Sequence, residues 1–279
     1  MKAAELFDLK GKRAVITGAS RGIGRAVAES YHELGASVAL LARSSAVLDA
    51  AQALHTPCAP AYGYQVDLQD RAAREQAFEK AVDALGGVDI LINNAGMCED
   101  FPAADYPLDA WDRILELNLT SALHLSQLAA KRMIPQRSGK IINLCSLHSY
   151  LGKRQIEGYA ASKGALKLLT QSLAHEWAPY GICVNGVAPG FIETEISSGL
   201  RQDPVEYPKT LDRLPMGRWG TPEELRGAFI FRLRLCDRAY SGRRWRDSGG
   251  VARICSLSNR KKAQTKSLCF SFSQPNDVL

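Results

Sequence analysis

The 279-residue sequence predicts an α/β fold: a doubly wound parallel sheet in a single domain, with helices on both faces. Three observations lead there. Short β-rich runs alternate with helical stretches of roughly 10–20 residues, the beat of βαβ units. The runs are continuously apolar rather than alternating, as burial on both faces requires. Glycines and polar residues gather just past the ends of the runs, where an open sheet of this kind holds its ligand.

The elements follow in order. RAVIT (13–17) is the first strand, and a glycine-rich turn leads from it into the helix GRAVAESYHELG, which Gly35 terminates. SVALLA (37–42) is the second strand, with a helical stretch near 45–55. AYGYQVDL (61–68) is the third, and RAAREQAFEKAVDALGG is a helix stopped by paired glycines. VDILINNAG gives the fourth strand, and two helical segments span 108–133. GKIINLCS gives the fifth strand, 158–178 a long helix, and ICVNGVAPG the sixth strand. Gly18, Asp67, Asn93, Ser146 and Pro189 then fall at the carboxyl ends of strands one, three, four, five and six, which is the Rossmann-like arrangement.

Composition limits the function classes. With 46% hydrophobic and 23% charged residues the chain reads as an ordinary globular protein. Its first residues hold no apolar h-region, and no run approaches the ~18 apolar residues of a membrane span. The seven cysteines (58, 98, 145, 183, 236, 255 and 269) form no CxxC pair and no metal-like spacing with the histidines. The expectation is a cytoplasmic chain with reduced thiols, no metal and no membrane partner. The net charge of +6 is uneven: from Arg226 onward there are 12 Lys+Arg against 3 Asp+Glu. A basic tail without a recognisable binding fold gives no reason to expect nucleic acid.

TGASRGIG (17–24) follows the first strand and opens the first helix. Gly18, Gly22 and Gly24, with Ser20, Arg21 and Ile23 between them, form a turn whose backbone N–H groups and helix dipole suit a pyrophosphate. The end of strand two reads Ala42-Arg43-Ser44, with no carboxylate for a ribose 2′-hydroxyl. Arg43 and Arg21 instead suit a 2′-phosphate, favouring NADP over NAD; the other reading makes both of them solvated surface arginines. Further on, Tyr159 and Lys163 lie one turn apart on one helix. They are either a surface pair or a proton donor whose pKa a neighbouring cation lowers.

TGASRGIG, Asp67-Leu68, NNAG (93–96), Asn118, Ser146, the Tyr159–Lys163 pair and PG (189–190) together resemble the short-chain dehydrogenase/reductase family over about the first 230 residues. The resemblance implies Tyr159 as general acid/base and Lys163 as its electrostatic partner and ribose ligand. It implies Ser146 as holder of the carbonyl oxygen and Asn118 as the residue ordering a water in a proton relay. Asp67, Leu68, Asn93, Asn94, Ala95 and Gly96 would line the cofactor channel, with Pro189, Gly190, Ile192 and Thr194 at its nicotinamide or diphosphate end. It also implies a homotetramer or homodimer built through helices 108–133 and 158–178. Residues 140–170 and LPMGRWGTPEEL (214–225) are most similar to gluconate 5-dehydrogenase-like members, which implies a small sugar-acid substrate. His148 and Arg154, beside Lys153 and Gln155, would face it. The 3-oxoacyl carrier-protein reductases share the same motifs and remain an alternative, as does an inactive cofactor-binding relative.

That last alternative arises because the resemblance stops after Phe231. Six arginines between 232 and 246 fall where a buried strand is expected, and buried unpaired charge is costly. The domain is therefore read as 1–231, with 232–279 an atypical basic segment, disordered or the product of a frameshift. The break inside an element favours the frameshift.

Overall fold

A strand can be buried on both faces where its successive side chains are apolar and point to opposite sides. The computed structural model, which describes residues 7–230, has six strands, the edge run 61–65 being only partly buried. They are β1 (Arg13–Thr17), β2 (Ser37–Ala42), β3 (Ala61–Gln65), β4 (Ile90–Asn93), β5 (Gly139–Leu144) and β6 (Ile182–Val187). They pair in the order β3-β2-β1-β4-β5-β6, all parallel. The expectation for 232–279 lies outside the described residues.

Helices cover both faces. Ile16, Leu40, Ile92 and Ile142 face α1 (Gly22–Glu33) and α2 (Ala46–Leu54) in one apolar cluster. Their neighbours Val15, Leu41, Leu91 and Ile141 face α3 (Arg71–Leu85) and α5 (Ser121–Gln136) in the other. The helices α6 (Glu157–Trp177), α7 (Ser198–Gln202) and α8 (Glu206–Leu211) complete the described chain. Among the described residues no helix is long and apolar enough to cross a membrane.

Two elements differ from expectation. β3 stops at Gln65 because its partner β2 ends at Ala42, whose carbonyl accepts the last bond from the Val66 N–H. Residues 66–68 are thereby released as a loop over the strand ends. The two helical segments of 108–133 form one run, α4 (Leu108–Leu115) passing through a π-helical turn (Glu116–Thr120) into α5. Such turns recur at functional sites because they disturb the regular helical ladder.

A polar tie crosses the sheet where β4 and β5 pair Asn93 with Asn143. Asn93 Nδ2 donates to Asn143 Oδ1 at 2.9 Å and to Ser126 Oγ of α5 at 3.0 Å. Asn143 Nδ2 donates to Thr170 Oγ1 of α6 at 2.8 Å. Asn93 thus faces the helices and does not line a channel. Asn93→Ala leaves Asn143 Oδ1 buried without its donor, a loss of about 2–4 kcal/mol with the cavity included. In urea melts the midpoint should fall with the slope unchanged.

Candidate functional site

The strand order reverses between β1 and β4, which opens a crevice at their carboxyl ends. Hydrogen bonds fix its shape. Thr17 Oγ1 accepts from the N–H groups of Asn94 (2.9 Å) and Ala95 (3.0 Å) and donates to the Ile92 carbonyl (3.2 Å). Asn94 Nδ2 donates to the carbonyls of Thr17 (2.8 Å) and Gly18 (3.2 Å). Gly18 takes φ +64°, and a Cβ there would stand 2.8 Å from Asn94 Nδ2. A Cβ on Gly24 would collide with the Gly18 carbonyl. The glycines are required because the two turns lie against each other.

A cleft of about 450 Å³ results. Gly18, Ser20, Arg21, Gly22, Ile23, Arg43, Asp67, Leu68, Asn94, Ala95, Gly96 and Thr194 line it, as the sequence indicated. Gly24 lies beneath it as a packing contact. Pro189 and Ile192 have other tasks. The Pro189 carbonyl accepts from the Leu147 N–H at 2.9 Å, and Ile192 bridges to Gly220. Gly190 has open space around it. Met97, Leu117, Leu144, Glu195 and Ile196 also line the cleft without having been picked out from the sequence. Leu117, beside Asn118, and Glu195, beside Thr194, were marked only by adjacency.

The cleft's two cations differ. The Arg43 side chain is exposed, with no ion-pair partner among the described residues. Arg21 forms an ion pair with Glu195, which reaches across from the loop after β6. Asp67 is exposed and shapes its loop by accepting the Gln69 N–H on Oδ1 at 2.9 Å.

The far end of the cleft meets a second group of residues. Lys163 Nζ donates to the carbonyl of the cleft residue Leu144 at 2.7 Å, and lies 3.4 Å from where a Cβ on Gly96 would be. It also sits 5.8 Å from the centre of the Tyr159 ring. Ser146 begins a tight turn, its Oγ accepting from the His148 N–H at 3.1 Å. Ser149 Oγ accepts from the Ser146 N–H at 3.1 Å and donates to the Lys163 carbonyl at 2.8 Å, which pins the serine turn to α6. Asn118, in the π-helical turn, is also committed. Its Oδ1 accepts from the Met97 N–H at 2.8 Å, and its Nδ2 donates to the Met97 carbonyl at 2.9 Å and to Ser162 Oγ at 3.0 Å.

Burial dominates the electrostatics. It pushes the Tyr159 phenol up to about 12, against the opposite pull of its hydrogen bond with Ser146. It pushes Lys163 down to about 8. The lowering of the phenol by a neighbouring ammonium, anticipated from the i,i+4 spacing, is not found: desolvation raises the phenol, and the ammonium bonds the Leu144 carbonyl.

On the outer side, the His148 ring meets the Tyr159 ring edge-on at 6.2 Å, and its Nδ1 bonds the Leu151 carbonyl at 3.0 Å. Burial lowers its pKa, which favours the neutral imidazole. Arg154 is 79% exposed and lies 3.7 Å from Glu206 of α8, so the structure brings His148 but not Arg154 to the phenol. In the Arg218-Trp219-Gly220 stretch, Trp219 is core, stacked on Phe191 with its Nε1 donating to Thr210 Oγ1 at 2.9 Å.

A profile of the short chain dehydrogenases matches residues 12–205. The chain belongs to this family. It is 41% identical over 233 residues to a 2-dehydro-3-deoxy-D-gluconate 5-dehydrogenase of Pseudoalteromonas atlantica, covering 81% of this chain and 90% of the relative. It is 38% identical to a gluconate 5-dehydrogenase of Gluconobacter oxydans over 232 residues, covering 83% and 91% of the two chains. A crystal structure of a gluconate 5-dehydrogenase from Burkholderia cenocepacia with NADP and tartrate superposes with a TM-score of 0.78 at 37% identity, covering 82% of this chain and 91% of that one. As a short-chain dehydrogenase the chain is an oxidoreductase acting on a CH–OH group.

The buried ammonium also carries a stability signature. Burial lowers Lys163 from the ordinary lysine value of 10.5 to about 8 in the folded chain, so between those values the unfolded chain binds more protons and stability rises with pH. Comparing the wild type with Lys163→Met isolates this term. Any advantage of the methionine variant at pH 7 should shrink by about 2 kcal/mol at pH 10. Paired denaturant melts at the two pH values check it.

Proposed function

We propose that this short-chain dehydrogenase interconverts a secondary alcohol and a ketone on a sugar acid of the gluconate/5-ketogluconate kind, with NADP in preference to NAD. The observation that carries the reading is the placement of Ser146, Tyr159 and Lys163 at the end of a glycine-cradled cleft. The cleft suits a dinucleotide: Gly18 and Gly22 at positive φ shape the turn that presents the N-terminus of α1 to a pyrophosphate, and Gly24 allows the close turn. Arg43 and Arg21 suit a 2′-phosphate, Asp67 and Leu68 the adenine side, and Asn94, Ala95 and Gly96 the ribose side next to Lys163. Thr194 closes the opposite wall, tied through Ser197 Oγ to the Ile192 carbonyl.

When bound, the nicotinamide supplies or accepts the hydride. The protein's share is the proton. Tyr159 gives its phenolic proton to the carbonyl oxygen in reduction and takes it back in oxidation. Ser146 donates to the same oxygen and fixes its position. A phenol raised to about 12 holds its proton at neutral pH, as the reductive direction needs, and Lys163 stabilises the phenolate left behind. Asn118 fixes Met97 and Ser162 and, with the backbone of the π-helical turn, orders a relay water. His148 faces the polyhydroxylated substrate, its neutral imidazole packed beside the reacting phenol, whereas Arg154 is turned to Glu206.

Support for the substrate comes from the sugar-acid names of the relatives and from the polar turn after Ser146. Exposed apolar side chains on α4 and α6, Leu108 and Leu168, support assembly of copies into a homodimer or homotetramer, which sedimentation would measure. The thiols of Cys58, Cys98 and Cys145 support a reducing compartment, the cytoplasm.

Tyr159→Phe should lower turnover at least 100-fold while leaving NADPH affinity within about twofold. A variant retaining a tenth of the wild-type rate overturns the mechanism. Turnover of 5-ketogluconate should exceed that of an acetoacetyl thioester, and the reverse preference overturns the substrate. Glu195→Gln should release Arg21 and tighten NADPH binding about threefold with NADH unchanged, as expected for an exposed pair.

A further inference from the structure

Helix α3 buries Arg74, Ala77, Phe78, Ala81 and Val82, so a guanidinium occupies the stripe where the helical period calls for an apolar side chain. Arg74 has no exposed surface. Its Nη1 donates to the Leu68 carbonyl at 2.6 Å and to Glu116 Oε1 at 3.0 Å, and its Nε donates to His124 Nδ1 at 3.1 Å. Nη2 is buried without a hydrogen-bond partner among the described residues. His124 accepts on Nδ1, and burial together with Arg74 lowers its pKa, so the imidazole is held neutral.

A buried cation with one carboxylate and an idle donor is an expensive way to fill a helix stripe. Its bonds indicate what it achieves. Leu68 and Leu117 both line the cleft, and one nitrogen of Arg74 bonds the carbonyl of the first and the carboxylate of the residue before the second. Glu116 opens the π-helical turn that carries Asn118, and Asn118 bonds Ser162, the residue before Lys163. One continuous set of bonds therefore runs from the Leu68 wall to the proton-transfer residues.

We infer that Arg74 is a positioning residue that couples the Leu68 wall of the cleft to the Asn118 turn, holding a bound dinucleotide's adenine half in register with the reacting groups. The inference rests on the cleft being the cofactor site. Glu116 carries the second half of the coupling, so the two links can be cut separately.

The test uses the full-length chain and four readings: affinity for 2′,5′-ADP, KM for NADPH, kcat and melting temperature. Arg74→Met cuts both links. It should weaken 2′,5′-ADP and raise KM for NADPH about fivefold, and lower kcat about fivefold or more. Glu116→Ala cuts only the second link, so 2′,5′-ADP affinity should stay within about twofold while kcat falls. In the double variant the kcat losses should be less than multiplicative. A shift in melting temperature alone, with affinity and kcat of Arg74→Met within twofold of wild type, overturns the coupling. Should Arg74→Met not fold, Glu116→Ala with unchanged kcat overturns it equally. A wild-type chain that binds neither 2′,5′-ADP nor NADPH overturns the cofactor reading, a failure distinct from either of these.

Discussion

Two backbone carbonyls at the end of β1 accept the side-chain amide of Asn94, and the form of the site follows from that contact. It joins neighbouring strands where their order reverses, and it brings the turn after β4 so close to the turn after β1 that neither Gly18 nor Gly24 has room for a Cβ. With the carbonyls of Thr17 and Gly18 engaged by the amide, the glycine turn is a shaped wall rather than a free loop. Thr17 completes the arrangement by holding two consecutive N–H groups of the facing turn on one hydroxyl.

At the other end of the cleft the governing effect is desolvation. Tyr159 and Lys163 lie close enough to attract each other, yet burial moves the phenol up and the ammonium down, each toward its neutral form. Removal from water governs both groups. The protein tolerates this because the Ser149 bridge to the Lys163 carbonyl and the Leu144 carbonyl on Nζ hold the geometry. A lysine near 8 is poised where modest changes in its surroundings alter its charge.

Much of this was legible in the residues. β1 and β2 begin and end where their apolar runs do, and of the strand-end positions named from the sequence Gly18 and Asp67 line the crevice. The failures have physical causes. Asn93 and Asn94 are adjacent, and only the alternation of side chains along β4 decides which faces the helices and which the cleft. Arg74 follows Arg71 in a charged run and reads as solvated; its position four residues before the core residue Phe78 is the one clue to its burial. Glu195 looks like loop polarity because its partner Arg21 is 174 residues away in sequence. The i,i+4 spacing of Tyr159 and Lys163 reveals a shared face but carries no information on how much water is excluded from it.

The Asn94 contact also has a bearing on how the chain comes to be folded. It closes over 77 residues, and residues that far apart meet only after the intervening βαβ segments have begun to order. On a ribosome, N-terminal segments organise first, so the β1–β4 half can consolidate while Ser146, Tyr159 and Lys163 have yet to emerge. The cleft wall is then a template onto which β5, β6 and α6 assemble. The cleft is thus shaped before the buried phenol and ammonium reach it.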